Sequence, residues 1–300
     1  MATNSRKTEN QHYVPQFLLR NFTVLGKPNQ IIVFHKQSGR TFPTNIKNVA
    51  AEKGFYDFVL KDYEMTLEPS LSNLEGQAAA VLDKVIANEA VTCITDEERI
   101  TLAFFIAVQF VRVKGHRARW DDIGEKLMKR LEPEASDELK QEMRRAQDLS
   151  HVSYMKTITD CHEYVPYLLG KIWTLQKTTT AQPFVISDCP VTLHNTVNHR
   201  PYGNIGFAVR GIEIYLPLSK TLTLGLWCPS LGERMDADTL RQIEEGAPLV
   251  CSNDNVVYLN HLQIRYAERH VMSSKDDFDL ARQMISDNAH IKSGPRLEMA

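Results

Sequence analysis

Glu75 sits where a surface acid should not. In LEPSLSNLEGQAAAVLDKVI, which begins at Leu67, helical spacing brings Leu71, Ala78, Ala79 and Leu82 within about 60° of it. Its carboxylate therefore falls inside the apolar stripe. Glu68, seven residues earlier, lies about 20° away on the same face. An ionised carboxylate taken out of water costs several kcal/mol unless it is paired, protonated or bound to a metal. Each remedy is a kind of chemistry: a structural ion pair, an acid with a shifted pKa, or a ligand for a cation. The following apolar run, Leu102 to Val113, is interrupted only by Gln109 and Arg112, which are three apart and so neighbours on one face. Arg112 presents a planar fork suited to a carboxylate or a phosphate. The same periodicity also fits a solvent-facing stripe of Glu98, Gln109, Arg112 and His116.

Three further polar residues interrupt apolar patterns. PFVISDCPV delivers Asp188 to the end of a strand, where sheets hold ligands and metals and where an aspartate is also ordinary turn chemistry. Asn260, in NVVYLNHLQIRYA, lies near the packing edge of a helix, an unfavourable place for asparagine without a hydrogen-bonding task. His12 precedes Pro15, whose missing N–H suits the first position of a short helix from about Gln16 to Phe22; the imidazole then lies beside the positive end of that helix.

The elements that must position these groups follow from pattern. QIIVFHK and GFYDFVL are expected strands. Pro69 opens a helix toward Asn88, and Thr95 with Glu98 forms a capping box for the next, which continues toward Leu131. Ser136 caps a charged helix ending near Leu149, and another runs from Ser150 to about Cys161. After Gly170, KIWTLQK, PFVISD, IEIYLPLS and TLTLGLW read as short strands without helical crossovers, hence a mixed or antiparallel sheet. Helices return at Asp236 to Glu245, Asn253 to about His270, and Asp276 to Asp287, and Leu193 to Gly211 reads as a long loop. The expectation is a single α+β domain over residues 11–290, helix-rich at 63–168, sheet-containing at 170–230 and helical at 236–287. Residues 1–10 and 291–300 are expected to be tails.

Composition narrows the function. With 300 residues and 43% apolar content the chain can bury an ordinary core. Lys and Arg number 35 against 37 Asp and Glu, so no global field draws the protein to nucleic acid or to an anionic membrane. Nucleic-acid binding is left to local features: Arg112, Lys114, Arg117 and Arg119 form a basic run that can contact phosphates, although Asp121, Asp122 and Glu125 follow and a solvated helix face accounts for it as well. Five widely spaced cysteines fit free thiols in a reducing compartment, the cytoplasm. No apolar run is long enough to cross a bilayer, and the phosphate-loop, nucleophile-elbow and zinc-protease patterns are missing.

The ordered set QHYVPQFLLRNF, KNVAAEKGFYDF, the two Leu–Glu pairs at 67–68 and 74–75, FFIAVQFVR, FVISDCPV, YLPLSKTLTL and LNHLQIRYA resembles the family called domain of unknown function 4238, from about Gln11 to Ser274. The resemblance places His12, Pro15, Gln16, Glu68, Glu75, Gln109, Arg112, Asp188, Pro190 and Asn260 at motif positions, and it implies no established activity. Where the family commonly has Asn between the Asp and the Pro, this chain has Cys189.

Because these positions coincide with the residues that are costly to bury, His12, Glu68, Glu75, Gln109, Arg112, Asp188 and Asn260 are expected to converge in one polar pocket. One reading is a metal-assisted phosphoester hydrolase, nuclease-like. Glu75 and Asp188 hold Mg²⁺ or Mn²⁺, His12 serves as acid or base, Gln109 orients substrate or water, and Arg112 binds a phosphate oxygen of the substrate. In this reading His12, Glu68, Glu75 and Asp188 are catalytic, while Gln16, Gln109, Arg112 and Asn260 bind substrate. A second reading is metal-free, with His12 and a desolvated Glu68 or Glu75 exchanging protons with a small substrate. A third makes the cluster a structural network in a non-enzymatic binding or interaction protein.

Overall fold

The computed structural model describes residues 10–60, 63–131, 136, 138–142, 150–197 and 205–295. Strand β1 (Asn10–His12) leads into helix α1 (Gln16–Arg20), with Pro15 extended at its N-cap. Strands β2 (Gln30–His35) and β3 (Arg40–Asn45) form a hairpin, followed by β4 (Ala51–Lys53), β5 (Asp57–Leu60) and β6 (Tyr63–Thr66). Next come the helices α2 (Glu68–Asn88), α3 (Asp96–Val111), α4 (Lys114–Leu131) and α5 (Ser150–Thr159), with residues 138–142 also helical between the last two. A short α6 (Val165–Leu169) leads to β7 (Ile172–Thr178), β8 (Ile186–Ser187), β9 (Thr192–Asn195), β10 (Ile212–Pro217) and β11 (Leu222–Trp227). The chain finishes with α7 (Pro229–Gly232), α8 (Ala237–Glu245), β12 (Leu249–Cys251), α9 (Asn253–Tyr266), β13 (His270–Ser273) and α10 (Asp279–Asp287).

This is an α+β fold with two main sheets. One has the order β12-β7-β11-β10-β9, antiparallel except that β12 joins β7 in parallel. The other has the order β3-β2-β13-β8, so the central pairing joins residues 32–35 to residues 270–273. Two small ribbons, β1-β4 and β5-β6, complete the strands among the described residues. One continuous apolar core joins Tyr13, Leu18, Phe55, Leu82, Phe105, Leu175, Leu224 and Met272. Five free cysteines, four of them buried, lie along the chain.

Local chemistry explains where the elements stop. The Thr95 and Glu98 capping box opens α3 as its sequence requires. The expected continuation to Leu131 is interrupted at Arg112 and Val113. There the Tyr154 hydroxyl donates to the Val111 carbonyl at 2.7 Å, and an unbroken helix would give that acceptor to residue 115. Helix α9 stops at Tyr266 rather than near His270, because the backbone N–H groups of residues 268–270 turn to the Asp188 carboxylate. Strand β13, absent from the sequence reading, begins there.

Other expectations shift at their edges. The loop expected from Leu193 starts inside β9, and residues 198–204 lie outside the described residues. So do residues 143–149 of the charged helix, although the Ser136 Oγ does accept the Leu139 N–H at 3.3 Å. Of the expected tails, residues 1–9 and 296–300 lie outside the described residues, whereas Asn10 begins β1 and Gly294 is buried and donates its N–H to Glu268.

Candidate functional site

Strand β1 reaches the helical core through its edge. Ala50, in the left-handed region at φ 50°, offers its carbonyl to the Tyr13 N–H at 2.9 Å, and His12 pairs with Ala51 across the β1-β4 ribbon. Gln11, almost fully buried, accepts the Tyr56 N–H at 2.6 Å and donates to Asp57 at 2.9 Å. These bonds set His12 above the junction of α2 and α3.

At that junction Arg112 is the hub. Its side chain is 1% exposed, and it donates from Nε and Nη2 to Gln109 Oε1 at 2.9 and 2.7 Å and from Nη1 to Glu75 Oε1 at 2.7 Å. Gln109, fully buried, uses its amide nitrogen to hold the Tyr13 carbonyl at 2.8 Å. One chain of bonds thus runs from α2 through α3 to the residue after His12. The solvent-stripe alternative for Gln109 and Arg112 is overturned: both point inward. Glu75 is the partly wet end of the network, with a quarter of its side chain exposed.

Electrostatics ties His12 and Glu68 to this pair. Burial lowers the His12 pKa, with Glu75 and the Val49 carbonyl pulling it up and Arg112 pushing it down again, so the imidazole is neutral near pH 7. Its Nδ1 is buried and makes no hydrogen bond. Glu68, the first residue of α2, has its pKa raised by burial and by Glu75, against the pull of Arg112. Tyr56, fully buried, donates its hydroxyl to the His12 carbonyl at 3.2 Å, and burial raises its pKa although Arg112 favours the phenolate. Tyr56 was missed because an aromatic residue in a strand-like run looks like core; only its place within KNVAAEKGFYDF could have drawn attention to it. Gln16 opens α1 half-exposed and makes no side-chain hydrogen bond among the described residues. The structure therefore brings together His12, Glu68, Glu75, Gln109 and Arg112, and adds Tyr56.

It does not bring Asp188 or Asn260 to them. Asp188 is buried with both oxygens engaged: Oδ1 accepts the Glu268 N–H at 2.8 Å, and Oδ2 accepts those of Arg269 and His270 at 2.8 and 3.0 Å. Burial pushes its pKa up to about 6, and the three amides and Lys36 restrain the rise. Asn260 accepts the Val185 N–H at 2.9 Å and donates to the Pro183 carbonyl at 3.0 Å. Beside it Gln263, overlooked in the sequence, accepts from Ser187 and donates to the Pro190 carbonyl at 2.8 Å. These residues staple the 183–190 segment to α9 and β13, so the expectation of one pocket holding all seven is corrected to two separate networks. Both Asp188 oxygens are engaged by backbone amides, an arrangement that competes with the expected sharing of a cation with Glu75. Among the described residues no three His, Cys, Asp or Glu side chains gather as a metal-ligand group.

No described helix is long and apolar enough to cross a membrane. No curated protein and no solved structure matches the chain. Residues 10–277 match the family model described as protein of unknown function, DUF4238, a span that takes in both polar networks, and the chain belongs to that family.

Proposed function

We propose that the His12, Glu68 and Glu75 cluster is a general acid–base site for a hydrolase-type reaction on a small polar substrate. The observation that carries this reading is a neutral, half-buried imidazole beside two carboxylates that differ in environment. Groups whose surroundings push their protonation in opposite senses divide into base and acid. His12 takes a proton from the attacking water, and Glu68, whose pKa is raised, gives its own to the leaving group as the substrate bond breaks. Glu75 sets the charge beside the imidazole. Arg112, Gln109 and Tyr56 are positioning residues, because their polar groups are spent on one another, on Glu75 and on the backbone of β1. The five free thiols favour the reducing cytoplasm as the setting.

The saturation of Arg112 favours a second reading, in which the network only locks β1 onto α3 and the protein works by binding a partner. Carbethoxylation of the full-length protein by diethyl pyrocarbonate, mapped residue by residue across pH, separates the two. An acid–base site requires His12 to react readily, with a midpoint below the ordinary histidine value that falls further in Glu75→Gln. Hydrolysis of a panel of nitrophenyl esters and phosphates, assayed in parallel, should vanish in His12→Gln and in Glu68→Gln while the melting temperature holds. A His12 that resists the reagent in the folded protein leaves the locking network as the better account.

A further inference from the structure

The basic run at the start of α4 divides among four destinations. Arg112 is consumed by Gln109 and Glu75, Lys114 pairs with Glu52 at 2.6 Å, and the Arg117 guanidinium lies 5.8 Å from the centre of the Phe55 ring. Arg119 has no such partner. Its Nη1 is buried without a hydrogen bond, and the same side chain also borders a cavity of about 330 Å³. A guanidinium nitrogen removed from water without a replacement acceptor is costly, and Arg is the side chain built to receive two oxygens of one anion.

The rest of the wall fits such a guest. Phe110, Leu262 and Tyr266 supply apolar and aromatic surface, while Arg265 and His194 add positive or donor groups. No Asp or Glu is among the described residues lining the cavity. The Tyr266 hydroxyl is already given to the Leu193 carbonyl at 2.8 Å, so it does not compete for Arg119. Glu213, across the strand pair from His194, accepts the Tyr215 hydroxyl at 2.6 Å. Arg265 also borders a second cavity of about 690 Å³, lined among others by Lys126, His261, Asp287 and His290, so the charge there is mixed and the anion site is confined to the first cavity. The first volume lies at the small end of the roughly 300–1,000 Å³ usual for small-molecule sites.

We propose that this cavity, on the far side of α4 from Glu52 and Phe55, binds a small phosphate ester with a flat apolar body. The phosphate is held by Arg119 and Arg265, and the body rests on Phe110, Leu262 and Tyr266. The site stands independently of the His12 cluster, sharing no residue with it.

Calorimetric titration of the full chain with phenyl phosphate, inorganic phosphate and phenol tests the assignment. The native protein should bind phenyl phosphate about tenfold or more tightly than inorganic phosphate, since the apolar wall contributes, and should not bind phenol measurably. Arg119→Gln should weaken phenyl phosphate about 10- to 100-fold, the worth of a charge-assisted pair, and leave the melting temperature equal or higher because an uncompensated buried donor is gone. Arg265→Gln, at an exposed position, should weaken it as well and covers the case in which the first variant misfolds. Glu75→Gln should bind as the native protein does. No binding of phenyl phosphate at millimolar concentration, equal binding of phenol, or binding lost in Glu75→Gln but kept in the folded arginine variants would each overturn the proposal.

Discussion

Replacing Glu75 by Ala should destabilise the protein, and then replacing Arg112 by Gln should restore part of what was lost. The reason is the unequal exposure of the pair: Arg112 is 1% exposed and Glu75 25%. When Glu75 goes, the guanidinium has no water to turn to and keeps only Gln109, Tyr56 and the weaker field of Glu68. Breaking a buried pair from one side typically costs about 3–5 kcal/mol, and the partial exposure of Glu75 places this case near 3. In the double variant no charge is stranded, and the new glutamine amide can still donate to Gln109 Oε1. What remains is a packing defect and fewer hydrogen bonds, about 1–2 kcal/mol. Equilibrium urea unfolding of native, single and double variants measures this directly, with m-values checked for constancy. The double variant should unfold at higher urea than Glu75→Ala. If it unfolds at lower urea, with the two losses adding, the guanidinium is not the stranded partner and the network has been misread.

Other outcomes follow from the same contacts. Burial lowers His116 and His270 from 6.5 to about 4 each, so the unfolded chain takes up protons that the folded chain refuses. Stability is full above about pH 6.5 and falls as pH drops toward 4, by about 3 kcal/mol for each histidine, with Asp188 offsetting roughly one of them because its raised pKa works in the opposite sense; His270→Gln should flatten the melting-temperature profile across that window, and an unchanged slope would exclude the histidine as its source. A Cβ at position 115 would lie 2.6 Å from the Cys189 sulfur, so Gly115→Ala should cost about 1–3 kcal/mol and Cys189→Ala should relieve it, a coupling that a double-mutant cycle reads and that strict additivity would refute. Titration with Mn²⁺ should leave the melting temperature unchanged, since the Asp188 oxygens are filled by backbone amides; a stabilisation abolished in both Glu75→Gln and Asp188→Asn would restore the cation between those two carboxylates.

Helices and their caps were the most legible features, because Thr95, Glu98, Pro69 and the spacing around Glu75 act within a few residues of one another. That Gln109 and Arg112 share a face was legible for the same reason, but periodicity fits an inward and a solvent-facing stripe alike, and only the structure turns them inward. Sequence patterns could not show where acceptors come from at long range. The Tyr154 hydroxyl that helps end α3 comes from another helix, and the amides that enclose Asp188 belong to residues about 80 positions away in sequence. A lone aspartate at a strand end looks alike whether it waits for a cation or already holds three N–H groups. Asn260 met the test of costly burial as Glu75 did, yet its partners are backbone groups of the neighbouring segment, and burial cost alone does not distinguish a strut from a site.

The union of β2 with β13 sets a constraint on synthesis as well as on architecture. Phe34 leaves the ribosome about 240 residues before Val271, its partner across the sheet, an interval on the order of tens of seconds at usual elongation rates. Over that interval the β2-β3 hairpin has an open edge, and Lys36 has not yet met the Ile264 and Ala267 carbonyls that will receive its ammonium group at 2.7 and 2.6 Å. A chain cut short before α9 would carry a sticky strand and a cation meant for the interior. Fragments lacking the C-terminal quarter should therefore aggregate rather than persist as half-sized domains.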